Sequence, residues 1–176
     1  NLVLFLFGGH ETTTNLIGNG TKALLDHPEQ VYLLRQDPSL FKGAIEEILR
    51  FDGPSKMEVR TLVADLEMRG KALHAGEMVY LVQHAANRDP EQFDNPDRFD
   101  ITRNPNPHIG FGFGIHFCLG AALARLEGSI ALEALVGRFP DIAFDEQPAK
   151  WVPTMLPLRL CEVLLEILSW YQLQVD

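Results

Sequence analysis

Between Asp94 and Phe117 the chain passes Pro96, Pro105, Pro107, Gly110, Gly112 and Gly114 without helical or strand periodicity. A structureless run of that length inside a compact domain is uncommon, and where it occurs it is usually functional. It ends by delivering Cys118 to a strong helical pattern, in which Leu119, Leu123, Leu126 and Ile130 recur at helical spacing and Pro140 is the stop. The fold must therefore present a cysteine at the entry of a helix, behind a glycine-rich loop.

The rest of the chain supplies helices and one small sheet. The apolar spacing up to Asp26 predicts a buried helix interrupted near Gly8-Gly9, because each glycine costs roughly 1 kcal/mol inside a helix. Asp26-His27-Pro28 reads as a stop followed by a new start, and Asp37-Pro38 opens a helix that runs to about Phe51. Over residues 57–82 the period changes. Val59, Thr61 and Val63 alternate with Arg60 and Leu62, Gly70 and His74-Ala75-Gly76 are turn signals, and Met78 to Val82 is a second β-rich run. Asp89-Pro90 predicts one short helical turn. In the tail, Leu160, Val163, Leu164, Ile167 and Leu168 make an apolar helical face, with Cys161 as packing. The fold class is mainly α with a small β-sheet.

Composition sets limits. A chain of 176 residues, 46% hydrophobic and 22% charged, suits one soluble globular domain or part of a larger one. It excludes a disordered tail and a membrane bundle. A net charge of −9 disfavours nucleic acid as the main partner. The two cysteines belong to no C-x-x-C pair, so no disulfide framework is indicated and a reducing, cytoplasmic compartment is the default. The longest apolar run, Leu2 to Phe7, is far short of the roughly 20 residues that span a bilayer. It begins at once after Asn1, which reads as a start inside a buried element of a longer chain.

Three constellations carry chemistry. In the segment Phe111-Gly112-Phe113-Gly114-Ile115-His116-Phe117-Cys118-Leu119-Gly120, unpaired N–H groups and the positive end of the helix dipole favour a thiolate. Glycines let the backbone approach a flat ligand, and a thiolate is a strong axial donor to haem iron. A lone cysteine after a glycine turn is more often structural; the whole ten-residue pattern reverses those odds. Glu47 and Arg50 are neighbours on one helical face, shared with Leu40, Ala44 and Phe51, so the pair should be at least half buried. On the surface such a pair would contribute little. Gly8-Gly9-His10-Glu11-Thr12-Thr13 sets an acid and an alcohol beside two glycines, although Thr and Glu also suit an ordinary helix start. Zinc on His108, His116 and Cys118 is disfavoured, since no fourth ligand is near and Gly112 and Gly114 would go unexplained. Nor is Gly110-x-Gly112-x-Gly114 a phosphate loop, because no strand precedes it and no Lys-Ser/Thr follows.

Taken in order, these motifs resemble the cytochrome P450 family, the haem-thiolate monooxygenases, and its soluble bacterial type in particular. Phe111, Gly114, Cys118 and Gly120 match the Phe-x-x-Gly-x-x-x-Cys-x-Gly signature of the family's haem-binding loop, and His116 is similar to the bacterial type. The resemblance covers residues 1–160. It implies the C-terminal, haem-binding part of that fold, beginning in the central oxygen-activation helix, with the N-terminal half absent and 161–176 an extra helical tail. The implied cofactor is haem b (iron protoporphyrin IX), with Cys118 as the axial ligand of the iron. Arg60 and His116 would meet a haem propionate, with His108 a further candidate, while Phe111, Gly112 and Gly120 surround the sulfur. Glu11 and Thr12 would deliver protons during oxygen activation, and a widened turn at the glycine pair would make room for it. Glu47 and Arg50 would support the cysteine loop together with a third arginine, which Pro96-Asp97-Arg98-Phe99 identifies as Arg98.

The activity implied by this resemblance is monooxygenation of a small organic substrate. Electrons would come from a separate ferredoxin-type donor, because no flavin or iron–sulfur motif is present. Neither a nucleic-acid partner nor a membrane segment is expected in this chain. The rival reading is a truncated, non-catalytic haem-binding remnant, and this stretch alone is expected to be inactive. A haem-thiolate peroxygenase or isomerase would share the loop but lack Glu11-Thr12.

Overall fold

In a computed structural model, described over residues 2–139 and 142–143, three helices meet along small-residue seams. They are α1 (Leu2–Asp26), α3 (Phe41–Asp52) and α5 (Ala121–Arg138), and each packs on the other two. Leu16 and Leu24 from α1, Ala44, Ile45, Ile48 and Leu49 from α3, and Leu132 and Val136 from α5 form one buried cluster. Glycine permits the close approach. A Cβ on Gly20 would lie 3.0 Å from both Ile48 Cδ1 and Leu132 Cδ1, and one on Gly128 would lie 3.2 Å from Ile45 Cδ1.

A short helix α2 (Pro28–Gln36) and a 3₁₀ turn (Pro38–Leu40) join α1 to α3. Asp37 starts that turn by accepting the Ser39 N–H on its side chain, with Pro38 at the first position. Beyond α3 the chain enters β1 (Glu58–Thr61), β2 (Leu66–Met68), β3 (Lys71–Leu73) and β4 (Met78–Leu81). β1 pairs antiparallel with β4, Arg60 opposite Val79, and β2 with β3, Leu66 opposite Leu73. The inner hairpin turns on Arg69 and Gly70, both at positive φ, which matches the right-handed twist of its strands. One helical turn, α4 (Gln83–Ala86), precedes the irregular stretch.

Two sequence expectations change here, both in α1. α1 is continuous through Gly8-Gly9, with no interruption and no widened turn, and a Cβ on either glycine would meet nothing within 4 Å. Its first turns, Leu2 to Phe7, are exposed rather than buried, since the other described elements cover only the half from Asn15 onward. Asp89-Pro90 forms the one short turn expected of it, the Phe93 N–H donating to the Asp89 carbonyl at 2.9 Å. α5 is the helix expected from the leucine spacing; it buries its small face, Ala121 and Gly128, with Leu132 and Val136, and leaves Leu123, Leu126 and Ile130 outside. Small residues win because they allow the axes of α1 and α3 to come close. Residues 160–176 and Leu156-Pro157-Leu158 lie outside the described residues.

Leu132 sits at the centre of this junction. Leu132→Ala is expected to cost about 2–5 kcal/mol, read as a lower urea midpoint at unchanged slope. The volume-conserving Leu132→Met should cost less than about 1.5 kcal/mol. Equal losses would place the packed centre elsewhere.

Candidate functional site around the cysteine loop

The irregular stretch is held from α3 by two consecutive glutamates that face different parts of it. Glu47 and Arg50 have fully buried side chains and meet in a two-pronged pair, Nε to Oε2 and Nη2 to Oε1, both at 2.8 Å. The remaining Arg50 N–H groups are donated to the carbonyls of Asn87 (2.9 Å), Pro96 (2.7 Å) and Arg98 (3.0 Å). All five guanidinium donors are thereby used, which is what a buried cation requires. The Glu47 carboxylate also accepts the Asp100 N–H at 2.9 Å, Arg103 Nε at 3.2 Å and Asn106 Nδ2 at 3.1 Å.

The third arginine is therefore Arg103, not Arg98. Arg98 offers only its carbonyl to Arg50; its side chain is 67% exposed and reaches Asp100 at 3.8 Å. The cause is its neighbour. Phe99 is buried between His27 and Phe51, at ring distances of 5.1 and 5.3 Å, while Arg98 closes the turn from Asn95, donating its N–H to the Asn95 carbonyl at 2.9 Å, with its side chain left outside. After the turn from Asp100, Arg103 comes back over the carboxylate.

Glu46 faces the other way. It accepts Arg125 of α5 through both oxygens, at 2.6 and 2.9 Å, and His108 Nε2 at 2.8 Å. Nδ1 of His108 in turn accepts the Gly110 N–H at 3.1 Å, so both bonds are satisfied with the ring proton on Nε2. Burial raises the Glu46 pKa, but the hydrogen bonds from His108 and Arg125 and the guanidinium charge outweigh it and hold the carboxyl at about 2. His108 is thus committed beneath the loop rather than aimed at a propionate. Sequence reasoning did not reach Glu46, Arg103 or Arg125, whose partners lie far away along the chain.

From Gly110 the loop winds to Cys118. Gly112 and Gly114 have φ of 75° and 70°, a region that side-chain-bearing residues rarely adopt. Phe111 packs on the core cluster, and its carbonyl accepts the Cys118 N–H at 2.9 Å. The cysteine N–H is therefore paired rather than open, and α5 begins three residues later, at Ala121, with Gly120 as its cap. Cys118 is exposed and free. Its sulfur lies close to Gly120, where a Cβ would come within 4.0 Å of it.

An open cleft of about 540 Å³ brings Thr12 and the Gly8-Gly9 pair of α1 together with Phe111, His116 and Cys118. Glu58 and Gln83 also line it, whereas Glu11, Arg60 and Gly112 do not. Arg60 is exposed on β1, paired with Glu58 and donating to the Val59 carbonyl at 2.9 Å. The Thr12 hydroxyl donates to the Gly8 carbonyl at 2.5 Å. Among the described residues no three His, Cys, Asp or Glu side chains gather as a metal site. The donor set fits an iron porphyrin: one exposed thiol on the wall of a cleft, the flat apolar ring of Phe111 beside it, and glycines that leave the backbone open.

A mainly α framework that pins a glycine-rich cysteine loop beside a cleft recurs in solved structures. The described architecture superposes on P450BioI in complex with hexadec-9Z-enoic acid ligated acyl carrier protein with a TM-score of 0.86 and 46% identity, over 89% of this chain and 41% of that one. It superposes on CYP109E1 from Bacillus megaterium in complex with corticosterone with a TM-score of 0.89 and 39% identity, over 92% and 44%. Residues 32–156 match the sequence profile of the family described as Cytochrome P450, and the chain belongs to that family. Among curated relatives, the biotin biosynthesis cytochrome P450 of Bacillus subtilis (strain 168) is 51% identical over 140 residues, 80% of this chain and 35% of that protein. The vitamin D(3) 25-hydroxylase of Pseudonocardia autotrophica is 53% identical over 142 residues, 80% and 35%. The chain thus spans about a third of the length of these relatives. No helix among the described residues is long and apolar enough to cross a membrane.

Two expectations follow from the paired glutamates. Arg103→Ala, which strips donors from a buried carboxylate, should lower stability by on the order of 2 kcal/mol, while Arg98→Ala should stay within about 0.5 kcal/mol; chemical denaturation of both variants checks this. The Glu46 tie has a folded pKa of about 2 against the ordinary 4.5, so its contribution is present above pH 4.5 and lost as the pH falls toward 2. The stability gap between the wild type and Glu46→Gln should therefore close over that interval, and a gap constant with pH would refute the assignment.

Proposed function

We propose that this chain is the cysteine-loop portion of a haem-thiolate monooxygenase that inserts one atom of dioxygen into a small organic substrate. The observation that carries the reading is the cleft shared by Cys118 and the Gly8-Gly9-Thr12 turn of α1. Haem b, when bound, supplies a redox-active iron at which dioxygen is activated. Cys118 offers the sulfur donor, exposed and unencumbered by a disulfide. Phe111 shields the sulfur side with its ring, and Gly112 and Gly120 keep the backbone clear of a flat group. His116, on the wall of the cleft, suits a propionate; Arg60 would do the same once it leaves Glu58.

Glu11 and Thr12 form the proton-handling pair. At rest the Thr12 hydroxyl donates its proton to the Gly8 carbonyl, on the wall of the cleft. Glu11 lies one residue away on α1, outside the lining of the cleft, and is assigned the resupply of that proton. Glu47, Arg50 and Arg103 keep the loop in place and take no part in the chemistry. Electrons are assigned to a separate ferredoxin-type donor, and the setting to the cytoplasm. The relatives named above point to different ligands, an acyl carrier protein bearing a fatty acid, vitamin D3 and corticosterone, so they support an organic substrate without selecting one.

In the complete haem-loaded protein, Cys118→Ala should abolish the red-shifted carbon monoxide band specific to thiolate ligation, and Cys161→Ala should leave it alone. Retention of that band in Cys118→Ala would sink the ligand assignment. Thr12→Ala should bind substrate normally yet yield less product per electron, with peroxide released. General acid steps contribute roughly 10²–10⁴-fold, so the loss should be plain. Full coupling in that variant would return Thr12 to a helix-stabilising role.

A further inference from the structure

The Glu46 cluster has no part in the reading above, yet it grips the loop at the residue that orients the cysteine. Arg125 lies with its guanidinium 4.6 Å from the centroid of the Phe111 ring, and Glu46 fixes that guanidinium through two hydrogen bonds of 2.6 and 2.9 Å. On the other side, His108 links the same carboxylate to the Gly110 N–H, one residue before Phe111. The ring of His108 also sits 6.4 Å from that of Phe111. Phe111 is thus gripped through its ring and through the peptide that precedes it. Its carbonyl then accepts the Cys118 N–H at 2.9 Å.

We propose that Glu46, His108 and Arg125 are positioning residues for Cys118, acting through Phe111 as a second clamp distinct from the Glu47–Arg50–Arg103 cage. The two clamps divide the work. Glu47 and Arg50 hold points between residues 87 and 106, whereas Glu46 holds the segment from His108 to Phe111, whose carbonyl accepts the Cys118 N–H. A planar fork is needed at position 125, because one face stacks on Phe111 while the edge meets both carboxylate oxygens. Lysine keeps the charge but not the fork. Arg125 is also partly exposed, so its replacement leaves no buried hole.

This inference rests on the thiolate ligation proposed above, and the test separates the two. In the complete haem-loaded protein, the lifetime of the thiolate-specific carbon monoxide band is measured under mild denaturant, in parallel with helical circular dichroism. Arg125→Lys and Glu46→Gln should each shorten the band lifetime by about 10-fold, since charge-assisted bidentate bonds are the strong ones. Helical signal should persist after the band has gone. Arg103→Ala serves as the contrast: band and helical signal should be lost together. Wild-type band lifetimes in both Arg125→Lys and Glu46→Gln would overturn the clamp while leaving the ligation intact. So would simultaneous loss of band and helix, which is what a merely structural role predicts. If Glu46→Gln does not fold, Arg125→Lys alone decides. Absence of the band from the wild type, or its survival in Cys118→Ser, would instead remove the ligation reading and the clamp with it.

Discussion

The burial of a full ion pair inside α3 is the constraint around which the rest is arranged. Taking Glu47 and Arg50 out of water costs several kcal/mol per ion unless every lone pair and proton finds a partner. The helix itself supplies only the pair. Everything else comes from a stretch of chain with no regular structure, through the carbonyls of Asn87, Pro96 and Arg98 and the donors of Asp100, Arg103 and Asn106. The irregular stretch needs the pair because it has no ladder of its own to satisfy its backbone. The pair needs the stretch because a half-satisfied buried cation is worse than none. Each is stable only in the presence of the other.

Glu46 and Glu47 extend this logic to the cysteine. Adjacent residues on a helix point about 100° apart, so one turn of α3 grips two separate sections of the loop. The three-helix junction of α1, α3 and α5 keeps that turn rigid, with Ile48 and Leu49 packed on one side while the carboxylates work on the other. Arg125 belongs to α5, whose own start is set by the cysteine loop through the Gly120 cap. The loop, the helix that supports it and the helix that follows it therefore form a closed circuit of contacts. Precision at the sulfur arises from packing some distance away.

What could be read from the sequence divides along the range of the interactions. The loop signature, the Glu47–Arg50 spacing and the turn at Gly70 are local, and local chemistry determines them. The choice between Arg98 and Arg103 is not local. It turns on whether Phe99 is drawn inward by His27 and Phe51, which come from other elements. Glu46 and Arg125 stand 79 residues apart and carry no mark of their pairing. The leucines of α5 mark a helix by their spacing but not the face it buries: the stripe that packs here is the one whose small side chains admit two neighbouring helices. The glycine pair of α1 predicted a break that the backbone does not make.

The hydroxyl of Thr12 illustrates how a helix can fix the behaviour of a reactive group. It has a single proton, and at rest that proton is engaged with the Gly8 carbonyl. Releasing it means rotating about χ1 and exchanging one acceptor for another. In a helix a threonine divides between two χ1 wells, because its hydroxyl can bond back to the preceding turn and its methyl group excludes the third. In the observed setting the side chain closes on its own helix, and the proton-handling role proposed for it requires the other setting, from which the hydroxyl would donate into the cleft. A serine would carry the same chemical group without that restriction, so what threonine adds here is the narrowing of choice that a single methyl imposes.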